Sequence, residues 1–215
     1  STSFIRFRKK QSMQLVKKVF NVASVGEFFS TYWLALVIAL LCGSLQLLGF
    51  DNALRYDRNL VATTEPWRFL TANFVHLNWS HYWMNMGALG LLWLMFVRRL
   101  STVEWLILFL LTSLIVSTGV QLLNTDLYWY VGLSGTLHGV ISAGVWRELR
   151  YDKFFALSVG GLTFGKLMYE QLLGPLPGSE ESAGGPVIVD AHFYGAIGGI
   201  ASIALLDLLQ RLKKA

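Results

Sequence analysis

The stretch GLSGTLHG, Gly132 to Gly139, decides how this chain is read. It sets Ser134 between two glycines, with His138 four positions later, at the head of an apolar run that reaches Trp146. A helix over 133–146 is only about 21 Å long at 1.5 Å per residue, and its far end is tethered by Arg147, Glu148 and Arg150. Whether that short helix lies in water or in lipid depends on what surrounds it.

The surroundings are lipid-like. Of the 215 residues, 54% are hydrophobic and 14% charged, and the mean hydropathy is +0.49, too apolar for an ordinary soluble domain. Apolar runs predict six helices, over Phe28–Leu48, His81–Val97, Val103–Leu122, Leu133–Trp146, Phe154–Leu173 and Ala191–Leu209. With the N-terminus inside, the cytoplasmic side collects Arg6, Arg8, Lys9, Lys10, Lys17, Lys18, Arg98, Arg99, Arg147, Arg150, Lys153, Arg211, Lys213 and Lys214, which are 14 of the 18 lysines and arginines. Only Arg55, Arg58 and Arg68 fall outside, and Lys166 lies within a span, so the positive-inside rule orients the chain. The net charge of +5 therefore reflects orientation, and a nucleic-acid partner is not expected. All four prolines, Pro66, Pro175, Pro177 and Pro186, fall in outer loops, where no helical hydrogen bond is lost.

The expected fold is thus an all-α membrane protein, a six-transmembrane-helix bundle with cytoplasmic N- and C-termini. Residues 1–27 form a basic cytoplasmic segment, 28–209 the bundle and 210–215 a basic tail. The N-terminus lacks the short apolar core and small-residue cleavage site of a signal peptide, so the first span is expected to stay attached. Cys42 is the sole cysteine, which excludes an intrachain disulfide. Two outer loops stand out: a long one over 51–80, and GPLPGSEESAGGP over 174–186, whose composition predicts a mobile flap.

Because the fourth run is shorter than a hydrocarbon core of about 30 Å, Ser134 is predicted at a sunken helix start, tolerable only beside protein or a water-filled cavity. The second, fourth and sixth runs all start on the outer side, and their first turns carry His81 and Asn85, Ser134, and His192. Polar groups at one depth in a membrane usually face a shared interior. Gly135 with Gly139, and Gly195 with Gly199, make two small-xxx-small pairs, so the fourth and sixth helices can approach closely and bring Ser134 to His192. Asp190 precedes His192 by two positions, about 200° around a helix, and is poorly placed to orient the imidazole.

These residues resemble the rhomboid family of intramembrane serine proteases. The likeness runs over all six predicted spans and is carried by Trp67-Arg68, FVHLNWSHYWMNM over 74–86, GLSG over 132–135 and AHFYGAIGG over 191–199. The narrower form GLSGTLHG is similar to rhombosortases, with His138 where many rhomboids have a tyrosine that packs on the catalytic histidine. The resemblance implies an enzyme, an intramembrane serine endopeptidase working by a dyad of Ser134 and His192, with no metal or organic cofactor. Ser134 attacks a substrate carbonyl and His192 takes, then returns, the proton. Asn85, His81 and the Ser134 backbone N–H are the candidate donors to the oxyanion, while His138, Gly132, Gly135, Gly195 and Gly199 pack around the site. Trp67 and Arg68 are expected to organise the first loop, and His76 to fix it through a hydrogen bond. Lys166 and Glu170, at i and i+4, form an ion pair, with a gating or substrate-recognition role as the sharper alternative.

The implied partners are the lipid bilayer and a transmembrane-anchored protein substrate, in the rhombosortase case one with a Gly-Gly-type C-terminal anchor. The implied location is the bacterial inner membrane, with the site opening to the periplasm. Oligomeric state is not legible. The rival reading is a catalytically inactive rhomboid-like protein that binds or escorts membrane clients, against which stands the retention of both Ser134 and His192. A small transporter is weaker still, since no inverted repeat or broken midplane helix is present.

Overall fold

Local capping chemistry starts three of the long helices in this chain. The computed structural model describes the backbone from Val25 to Lys213 and side chains from Tyr32. Most of the basic segment expected over 1–27, and the last two residues of the tail, lie outside the described residues. The elements in order are α1 (Val25–Leu47), α2 (Asp51–Leu54), β1 (Tyr56–Asp57), α3 (Arg58–Val61), α4 (Arg68–Thr71), a 3-10 turn (Ala72–Phe74), α5 (Trp79–Phe96), α6 (Thr102–Leu123), β2 (Trp129–Tyr130), α7 (Ser134–Glu148), α8 (Lys153–Leu173), α9 (Ser179–Ala183) and α10 (Val189–Leu212). The chain divides at Leu34 into two units, and the contacts described below lie within the unit from Ala35 onward.

Asn78 accepts from the His81 N–H at 2.9 Å to start α5, Ser101 and Glu104 form a reciprocal capping box on α6, and Asp152 accepts from Phe155 N–H at 3.0 Å on α8. Each satisfies an amide that a helix start leaves unpaired. The two short strands pair antiparallel, Tyr56 opposite Tyr130 and Asp57 opposite Trp129, and tie the long outer loop to the segment before α7.

Helix α7 is the packing centre, touched by α5, α6, α8 and α10. Its closest neighbour is α10. A Cβ on Gly195 would lie 1.9 Å from the Gly135 carbonyl oxygen, and one on Gly199 2.0 Å from that of Gly139, so the two helices meet backbone to backbone. On the other side Asn73 donates to the Ser113 carbonyl at 3.3 Å and to Ser117 Oγ at 3.1 Å. Thr136 Oγ1 bonds Ser113 Oγ at 2.9 Å and Asn73 Oδ1 at 3.3 Å. The 3-10 turn, α6 and the first turn of α7 are thereby locked together, with no buried hydroxyl in this group left unmatched.

The exterior is apolar. Leu40, Leu94, Leu106, Leu162, Phe164 and Leu205 are exposed while Asn73, Thr112, Ser113, Ser117 and Thr136 are buried, the inverse of a soluble domain. By length and composition, α6 and α10 suffice to cross a membrane.

Candidate active site

The site is assembled where α7 and α10 begin. Gly132 sits at φ +125°, a conformation that favours glycine, and a Cβ there would also lie 2.7 Å from the His81 ring. Its amide donates to the Ala72 carbonyl at 3.0 Å and its carbonyl accepts from Tyr130 OH at 2.8 Å, so the approach to Ser134 is held on both sides. Two residues later the helix begins, and Ser134 projects from its first turn.

Ser134 Oγ lies 3.0 Å from His192 Nε2, bringing together a hydroxyl and an imidazole 58 positions apart. His138 stacks on the His192 ring with centroids 4.2 Å apart and planes 21° apart, and its Nδ1 lies 2.7 Å from the Ser134 carbonyl. One face of the histidine at Nε2 is thus fixed by a parallel ring carried on the same helix as the serine. Asp190 turns elsewhere, its carboxylate accepting from the Asn124 amide.

The far edge of His192 meets α8. Nδ1 lies 2.9 Å from Glu170 Oε2, and the same oxygen takes Lys166 Nζ at 2.7 Å. The i,i+4 ion pair forms as the spacing predicts, but Glu170 also touches the histidine. The sequence reading missed that contact. An acidic residue within an apolar helix was the available signal; which way it reached was not. Lys166 Nζ itself stands 3.4 Å from Nδ1.

A cavity of about 270 Å³ opens beside the pair, lined by Ser134, His192, His81, Asn85, His138 and Glu170 among others. Asn85 donates one amide hydrogen to its own helix at the His81 carbonyl, 2.9 Å away, which leaves the second N–H of that amide. The segment 174–186, expected as a mobile flap, contains α9 and roofs the cavity with Leu176, Ser179, Ala183 and Pro186. Asn78 donates to the Ala183 carbonyl at 2.9 Å and Ser80 to that of Ser182 at 2.5 Å, docking the roof on the start of α5.

Around the site, Arg68 is buried and staples the long loop by donating to the Asn52 and Arg55 carbonyls at 3.1 and 2.8 Å and pairing with Glu65 at 2.6 Å, while Trp67 is exposed. His76 differs from expectation. Neither ring nitrogen has a hydrogen-bond partner among the described residues; the ring is held by edge contacts with His81 and Tyr82 at 5.2 and 5.7 Å. Burial, with His81 beside it, pushes its basicity down to about 3, so it sits there neutral and packs as an aromatic.

Donor atoms of His138, Glu170 and His192 lie within 4.8 Å of one another, a spacing at which a metal ion is held. The near-parallel stack of the two rings directs their in-plane lone pairs alongside each other rather than to one point, and Glu170 is already engaged by Lys166 and His192, so the arrangement suits proton handling better than coordination.

Compared with known proteins, residues 63–207 match a family model described as a rhomboid domain. A search of curated proteins found no match.

Proposed function

Since the chain belongs to the rhomboid family, and is by that and by its apolar helices an integral membrane protein, we propose that it is an intramembrane serine endopeptidase with Ser134 as nucleophile and His192 as general base. The observation that carries this reading is the 3.0 Å approach of Ser134 Oγ to His192 Nε2 at the wall of a cavity. That distance is within direct proton-transfer reach.

Attack of Ser134 Oγ on a substrate carbonyl passes its proton to Nε2, which then delivers it to the leaving amine as the acyl–serine ester forms. Water admitted to the cavity hydrolyses the ester with the same base. The oxyanion is met by the Ser134 backbone N–H at the start of α7, the free amide hydrogen of Asn85 and the His81 ring. His138 keeps the imidazole plane, and Gly135, Gly139, Gly195 and Gly199 allow the helices to close on each other.

In this reading α1, α5, α6, α7, α8 and α10 are the six spans, with both termini cytoplasmic in the bacterial inner membrane and the site facing the periplasm. The 15-residue α7 reaches about 22 Å and so starts below the lipid surface. The substrate is a membrane protein cut at its transmembrane anchor; the GLSGTLHG form with His138 on His192 favours the rhombosortase type, whose substrates carry a Gly-Gly motif ahead of a C-terminal anchor.

Labelling of the detergent-solubilised chain with a fluorophosphonate tests the reading. Ser134 is expected to react, and His192→Ala to abolish the reaction without loss of fold. A folded wild-type chain that stays unlabelled would instead describe a protein that binds membrane clients without cutting them.

A further inference from the structure

Resting on that peptidase reading, we propose that Glu170 is a positioning residue for His192, so that the working unit is Ser134–His192–Glu170 with its third member supplied by α8. An ionised carboxylate only accepts and an ammonium only donates. Glu170 Oε2 receives Lys166 Nζ at 2.7 Å, which marks it as the anionic partner of an ion pair, and it lies 2.9 Å from His192 Nδ1. Nδ1 must therefore carry the hydrogen. In a neutral imidazole that leaves the lone pair on Nε2, facing Ser134 Oγ at 3.0 Å, which is the tautomer that can remove the serine proton.

A competing arrangement lies close by. Lys166 stands 3.4 Å from the same Nδ1. Were Nδ1 to accept from that ammonium, the hydrogen would move to Nε2 and point at the serine, which would then have no base. Glu170, nearer and itself only 2% exposed, decides between the two. When the imidazole takes the serine proton it holds two N–H groups, one passing to the leaving amine and the other retained by Glu170. No proton moves to the carboxylate. The burial of Glu170 strengthens its hold on the imidazolium, and Lys166 balances its charge in the resting site.

The placement on α8 has a further consequence. Among the described residues of that helix only Ala156, Leu167 and Glu170 are buried. A lightly packed helix thus carries the group that orients the base, and the base is correctly set only while the outer end of α8 is seated.

Three measurements on the full chain in detergent test this. The rate of fluorophosphonate labelling at Ser134 is expected to fall about 10⁴-fold in Glu170→Gln, the scale seen when a triad carboxylate becomes an amide, with the melting temperature retained. The exchanged double variant Lys166→Glu/Glu170→Lys keeps the i,i+4 pair but sets an ammonium against Nδ1, and is expected to lose labelling likewise. Nitrogen-15 spectra of the resting wild-type chain are expected to show His192 protonated at Nδ1, a readout that needs no variant to fold. Labelling of folded Glu170→Gln and of the exchanged variant within about threefold of wild type overturns the proposal while the peptidase reading stands, and returns Glu170 to a plain ion pair or to substrate recognition, neither of which a small phosphonate would sense. A His192 hydrogen found on Nε2 overturns it too. Failure of wild-type Ser134 to react removes both readings together.

Discussion

At the scale of single residues, the site is a set of hydrogen-bonding groups whose freedom has been removed. His138 contributes a face as well as a hydrogen bond: its ring lies 4.2 Å from that of His192 and near parallel. Aromatic pairs of this kind contribute about 0.5–1.5 kcal/mol beyond their buried area. His138→Ala is therefore expected to slow labelling of Ser134 up to about tenfold, and His138→Phe, which keeps a stacking face, to slow it less. Equal rates for the two variants would mean that stacking does not hold the base. Asn85 makes a single described hydrogen bond, to the carbonyl of His81 in its own helix, so its loss should cost the fold little. Loss of an oxyanion donor, by contrast, costs about 10²–10³ in turnover, or about 2.7–4 kcal/mol. Cleavage of a membrane-anchored substrate by Asn85→Ala is expected to fall by that factor at an unchanged melting temperature; normal turnover would remove Asn85 from the oxyanion site.

At the scale of elements, two helices are held in opposite ways. Between α7 and α10 the obstacle to any side chain is backbone: a Cβ on Gly199 would stand 2.0 Å from the Gly139 carbonyl oxygen, which no rotamer change relieves. Gly199→Ala must part the helices, at a cost of about 1–3 kcal/mol or more, and would move His192 away from Ser134 at the same time. Along α8, Gly165 has no atom within 4 Å of an added Cβ. Gly165→Ala is expected to leave the fold intact and to stabilise the helix by about 0.5–1 kcal/mol through reduced backbone freedom. Thermal melts of the two variants in the same detergent check the contrast, and a Gly199→Ala chain that melts with wild type would contradict the backbone contact.

At the scale of the whole molecule, the end opposite the site is closed by buried charge. Arg147 pairs with Glu104 at 2.7 Å and Asp207 at 2.9 Å, and Arg150 and the Trp146 indole also reach Asp207, so α6, α7 and α10 share one network. Removing one member of a buried pair costs about 3–5 kcal/mol because its partner stays buried and unmatched. Asp207→Ala is expected to lower the melting temperature clearly while the folded fraction labels Ser134 at the wild-type rate, since the two sites lie at opposite ends of α7. Arg58 plays the corresponding part on the site side. It donates to the carbonyls of Val120, Gln121, Asn124 and Leu127 at 2.7–3.0 Å, finishing the end of α6. Arg58→Met should cost at least about 1.5–3 kcal/mol in a denaturation measurement.

What the sequence determined alone was what depends on near neighbours in the chain. The predicted run Leu133–Trp146 became α7 at Ser134–Glu148, and His81–Val97 became α5 at Trp79–Phe96, because apolar runs act over neighbouring turns and, for α5, Asn78 caps the start. The glycine spacing likewise announced that two helices would touch, since only glycine lets backbones meet. Three things were decided by the tertiary structure alone: that Glu170 turns to His192 as well as to Lys166, that Arg58 reaches across to the end of α6, and that His76 packs as a ring with no hydrogen bond among the described residues. Each depends on how far one helix or loop is rotated and shifted against another, and on where a long side chain finds its partner, quantities that no repeat of three or four residues encodes.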